Sequence, residues 1–183
     1  TAGSRFNASK RLRGVDVRVT ALVAFTSALI ILLSVAPYIA IISDTGSRLT
    51  AMLTTGLSLV LLAGSLLQFA SNFGVHSELH QRCALELSTL ERELGANIQS
   101  LTQQQYLDFS QRYSSTLSNY GINHADVDFT RYKLEKSSEY KFSGTRRAHL
   151  HLQVYVANNY PVIFLFAVIA TSFVITWVAL NVP

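Results

Sequence analysis

Two long runs free of Asp, Glu, Lys and Arg, Val19 to Ser43 and Leu49 to Ser77, are separated only by Asp44-Thr45-Gly46-Ser47-Arg48, and this pair limits the possible folds more than any other feature. About 20 helical residues at 1.5 Å each cross a hydrocarbon layer roughly 30 Å thick, and each run is longer than that. A charged residue at the centre of a spanning helix disfavours insertion by about 2.5 to 3.5 kcal/mol, so runs without charge are what a membrane helix requires. Buried helices of a soluble domain would carry a polar stripe that reaches water. The two runs therefore read as a transmembrane helical hairpin with a tight connection at Gly46.

A third uncharged run, Tyr160 to Val182, places the 49% hydrophobic composition in three blocks rather than in one dispersed core. The expected fold class is an all-α membrane protein: an N-terminal transmembrane hairpin, a cytoplasmic helical segment and a C-terminal third transmembrane helix. The expected parts are a basic juxtamembrane segment 1–18, helices 19–43 and 49–75, a cytoplasmic domain 76–159 and a last helix 160–182. The excess of basic residues, a net charge of +4, follows membrane topology rather than nucleic-acid binding. Arg5, Lys10, Arg11, Arg13 and Arg18 precede the first run, whereas its outer connection has one Arg against one Asp, which puts the N-terminus inside and the C-terminus outside. Lys141, Arg146 and Arg147 before the third run agree with that orientation. The first run is too long for a signal peptide, and Thr1-Ala2-Gly3-Ser4 has the look of a processing or cloning remnant.

Along the chain, Phe6 to Arg13 is a basic helical lead into the first span. It is either an anchor to lipid phosphates or the source of specific contacts from Asn7, Lys10 and Arg11 to the cytoplasmic domain. Thr20, Ser27, Ser34 and Tyr38 form a sparse seam on the first span. The second carries a fuller stripe, Thr50, Thr54, Ser58, Ser65, Gln68 and Asn72, projected within about 80° of one another. Such a stripe serves helix packing, or it lines a water-filled path between copies of the protein. With no stop but Gly74, the second span is expected to run on as an amphipathic helix to about Leu94. Thr102-Gln103-Gln104-Gln105 has the form of a capping box. The helix it opens puts Tyr106, Phe109, Tyr113 and Leu117 on one face and stops at Gly121. Asn123 or Asp126 is expected to cap the next short helix. His124, Asp126 and Asp128 lack the further ligands that a metal site needs, and Cys83 is a lone thiol. No phosphate loop, nucleophile elbow or Cys-His arrangement is present, so no enzyme and no cofactor are expected.

Phe6-Asn7-Ala8-Ser9-Lys10-Arg11-Leu12 before a tight transmembrane pair, with Asn123-His124-Ala125-Asp126-Val127-Asp128-Phe129 and Tyr132-Lys133-Leu134 in a helical cytoplasmic segment, resembles the SLATT family from Phe6 to about Tyr140. These are small bacterial membrane proteins proposed as pore-forming effectors of antiphage conflict systems. The resemblance implies a homo-oligomeric effector of the inner membrane that permeabilises it when a partner senses infection. That partner would be a nucleotide-second-messenger system or, in the branch this chain most resembles, a reverse transcriptase. It also marks Asn7, Lys10, Arg11, Asn123, His124, Asp126, Asp128 and Tyr132 as a cytoplasmic motif. The alternative is a membrane tether that recruits a polymerase or a nucleic-acid partner through Arg131, Lys133, Lys136, Lys141, Arg146 and Arg147.

Overall fold

The computed structural model describes residues 1–39 and 44–181. The expected end of the first span at Ser43 and the end of the third span at Val182 lie outside the described residues. Every regular element among them is an α-helix: α1 (Ala2–Ile39), α2 (Asp44–Ser71), α3 (Phe73–Asn97), α4 (Gln103–Tyr120), α5 (Asp126–Glu135) and α6 (Gly144–Asn181). Three stretches are long and apolar enough to cross a membrane. They are Ala2–Ile39, Asp44–Asn97 and Gly144–Thr171, whose most apolar windows have mean hydropathies of 2.4, 1.8 and 1.6.

The chain forms two compact units, an apolar one of Val15–Asn72 with Asn159–Pro183 and a polar one of Thr1–Gly14 with Phe73–Asn158. The apolar unit buries little within itself: Val15, Val19, Leu57 and Leu165, with Thr26 among them. Phe25, Leu32, Leu66, Phe69 and Phe164 all face outward. In water so much exposed apolar surface would drive association, whereas in lipid it is the expected exterior. Three hydroxyls of α1 follow the same logic, each donating to a carbonyl one turn back in its own helix. Thr26 bonds Leu22 at 2.8 Å, Ser27 bonds Val23 at 2.9 Å and Ser34 bonds Ile30 at 2.8 Å, so these three leave no donor bare in hydrocarbon.

In the polar unit, α3 and α4 pack as a pair. Tyr120 donates to Glu86 at 2.6 Å, which pushes the phenol up to about 12, and Arg112 pairs with Glu93 at 2.8 Å. Thr102 caps α4 through the expected reciprocal box with Gln105, and Gly121 closes it with φ +58°, a conformation that suits glycine. The second span runs on through Gly74 into the amphipathic helix α3, as expected, with one interruption: Asn72 stands at φ +46° between α2 and α3, a left-handed position that Asn tolerates better than most residues. One expectation is corrected. The cap of α5 is neither Asn123 nor Asp126. Ala125 holds that place, and its backbone N–H is satisfied from within the helix by the Asp128 carboxylate at 3.1 Å.

Candidate functional site

The polar unit brings the first residues of α1 against α5. Arg11 meets Asp128 side-on, its Nε donating to Oδ1 and its Nη2 to Oδ2, both at 2.8 Å. A fork against a carboxylate satisfies two donors and two acceptors with one fixed geometry. Asp128 is almost fully buried, and the same carboxylate also holds the start of α5. One turn before Arg11, Asn7 donates to Glu135 at 3.0 Å, and Glu135 also accepts from Arg131 at 3.0 Å. Ser77 of α3 donates to the Ser9 carbonyl at 2.9 Å. Arg5, buried, donates to the Ile122 carbonyl at 2.9 Å. At Gly3 a Cβ would overlap the Tyr132 ring, so the helix and the ring sit closer than any side chain permits. Ala2 to Arg5 are thus packed parts of α1.

Two histidines lie in this network. His80 on α3 is buried, and burial, with Arg5 next in effect, lowers its pKa to about 4. His124 is lowered in the same way, by burial first and then by Arg5. Both are therefore neutral at physiological pH, as a site already holding two guanidiniums against one close carboxylate requires. Beside the network, Leu87, Leu90 and Leu94 of α3 face Tyr106, Phe109 and Tyr113 of α4 across an open cleft of about 380 Å³.

In the apolar unit, the stripe on α2 divides by exposure. Thr50, Thr54, Ser65 and Gln68 are half-buried at the edge of the face that packs within the unit, whereas Ser58 and Asn72 point outward. Thr50 donates to Gly46 at 2.9 Å, Thr54 to Ala51 at 3.0 Å, Ser58 to Thr54 at 2.6 Å and Ser65 to Leu61 at 2.8 Å. Gln68 reaches α1, its Nε2 donating to Thr20 Oγ1 at 2.7 Å and to Asp16 Oδ1 at 3.3 Å. Arg18 of α1 in turn bonds Asn159 of α6. The chemistry of this constellation is ion pairing and oxygen presentation; no nucleophile is paired with a base in it.

The model of the SMODS and SLOG-associating 2TM effector domain family 5 matches residues 1–176. This chain belongs to the SLATT family. The match covers the third apolar helix nearly to its end and begins at the residues that pack under Tyr132. No curated protein and no solved structure matches the chain. Of the SLATT motif residues, the structure gathers Asn7, Arg11, Asp128, His124 and Tyr132 into the polar unit, while Lys10, Asn123 and Asp126 are exposed. Sequence reasoning missed Arg5, His80, Glu135, Gly3 and Asp16. Glu135 alone had a local signal, at one helical turn from Arg131; the others acquire their roles only when distant segments meet.

Proposed function

We propose that this SLATT chain is a pore-forming effector of a bacterial conflict system, assembling from several copies in the inner membrane with the N-terminus and the polar unit in the cytoplasm. The observation that carries the reading is the α2 stripe, with Ser58 turned out of the protomer in the middle of a helix whose most apolar window is only 11% buried. A hydroxyl there gains nothing from lipid, and it suits a surface that meets water or another copy. Control comes from the clamp: α1 is one helix that carries Arg5, Asn7 and Arg11 at one end and Asp16 and Thr20 further along. A trigger that binds the polar unit more tightly in the conducting state would bias the pore through that helix. We place the trigger with a SMODS or SLOG partner, following the family's description. Of the six cations that motivate the tether reading, Arg131 is paired with Glu135, Lys133 lies over the Phe129 ring and Lys136 pairs with Glu139, while Lys141, Arg146 and Arg147 are exposed.

Replacing Ser58 by Leu keeps the helix apolar and insertable but removes the outward hydroxyl. In liposomes the variant is expected to lose at least about tenfold of the parent's ion leak, a loss of roughly 1.4 kcal/mol in stabilisation of the permeating ion. A Ser58→Leu protein that inserts and conducts like the parent would remove the stripe from the path.

A further inference from the structure

The donor inventory of the α2 stripe carries a further consequence for what would pass along it. A hydroxyl bonded to a backbone carbonyl has to be the donor, because the carbonyl has no proton to give. Thr50, Thr54, Ser58 and Ser65 have each spent their one hydrogen in this way. Gln68 has directed both amide hydrogens to α1, onto Thr20 and Asp16, and Asn72 donates to the Ala70 carbonyl at 3.4 Å. What the stripe offers a solute is therefore oxygen lone pairs, with almost no hydrogen to solvate an anion. One of its anchors is itself a carboxylate. Asp16 is the sole acidic residue before Asp44, and its neutral partner Gln68 orients the charge without cancelling it. The nearest cation in sequence within the unit, Arg18, is engaged with Asn159.

We infer that the path built on the α2 stripe selects monovalent cations over anions, with Asp16 as the residue that fixes the sign. This rests on the pore reading above and adds to it the class of solute. Oxygen-lined paths and rings of carboxylates favour cations because they replace lost hydration only for positive ions. Each Asp16 carboxylate about 7 Å from the ion in a water-like dielectric favours a monovalent cation by a factor of about three and disfavours an anion by as much, and several copies multiply the effect.

The test is the reversal potential of the full-length chain, reconstituted in phosphatidylethanolamine and phosphatidylglycerol vesicles fused to a planar bilayer, under a tenfold potassium chloride gradient. The parent is expected to reverse on the potassium side of zero. Asp16→Asn keeps an acceptor for Gln68 but loses the charge, and its preference for potassium over chloride is expected to fall at least about threefold. Asp16→Glu is expected to restore the parent value. A parent that conducts but reverses at zero or on the chloride side overturns cation selection. A cation-selective parent whose Asp16→Asn variant is unchanged overturns the role of Asp16. A parent that passes no current at any voltage, though inserted, overturns the pore reading itself.

Discussion

Asp128→Ala is expected to destabilise the polar unit by about 3 to 5 kcal/mol, the usual cost of removing one partner from a buried ion pair. The substitution strands the Arg11 guanidinium, whose Nε and Nη2 both point at the lost carboxylate, and frees the Ala125 N–H that Asp128 had satisfied. A neighbouring ion pair such as Arg82 with Glu78 lies at the surface and is worth far less. Hydrogen exchange of the α5 amides in the full chain, embedded in lipid nanodiscs, reads the effect locally: protection is expected to fall more than about 100-fold, since each 1.36 kcal/mol is tenfold. Replacing Arg11 by Met together with Asp128 by Leu removes both charges at once. That double variant is expected to recover most of the loss, leaving about 1 kcal/mol for the missing cap. If Asp128→Ala exchanges like the parent, the clamp does not hold α1 to α5.

Acidification is expected to act on the same unit through His80. Its folded pKa of about 4 lies below the ordinary value of 6.5, so between those limits the unfolded chain binds the proton and the folded chain does not. Stability contributed by keeping His80 neutral is therefore complete above pH 6.5, is lost as pH falls, and is exhausted near pH 4. At 1.36 kcal/mol per unit over about 2.5 units, the loss is about 3 kcal/mol. The groups acting on His80 are Arg5 and Arg11 from α1, Asp128 from α5 and His124 from the preceding loop. The arginines and His124 oppose a further positive charge, and Asp128 favours it. His124 adds a loss of the same sign. Protection factors of α3 amides, corrected for the intrinsic pH dependence of exchange, are expected to fall through this window in the parent and to flatten in His80→Leu. A parent with constant protection from pH 6.5 to 4 would mean that His80 is already solvated.

The membrane-spanning character of the chain was legible because lipid imposes one rule that sequence displays directly, the exclusion of charge over 20 or more residues. The α4 boundaries were legible for a similar reason: Thr102 with Gln105 and Tyr120 with Gly121 are local devices whose partners lie within four residues. The family resemblance pointed to the right two segments, and the structure gives them a physical bond, Arg11 to Asp128 across 117 positions. What sequence did not display was anything that depends on two segments meeting. Arg5 and Arg13 are alike in the sequence, yet Arg5 is buried against Ile122 and Arg13 is exposed. Gly3 gave no local sign of its role because its reason, the Tyr132 ring, stands far along the chain. Periodicity continued across Asn72 without a flaw, because a single left-handed residue leaves the spacing of the apolar positions on either side of it unchanged. The α2 stripe was legible as a stripe, but that its donors are spent within the protein emerges only from the bonds themselves.

Membrane potential in bacterial cells is the direct readout of pore opening. The chain is expressed from an inducible promoter with and without its candidate partner, a potential-sensitive dye is followed, and a membrane fractionation records insertion. Depolarisation is expected within minutes when the trigger is present, with growth arrest following it, and the membrane is expected to stay polarised in cells making equal amounts of inserted Ser58→Leu protein. Growth arrest with the potential intact, in cells whose membranes contain the parent chain, would contradict the pore reading.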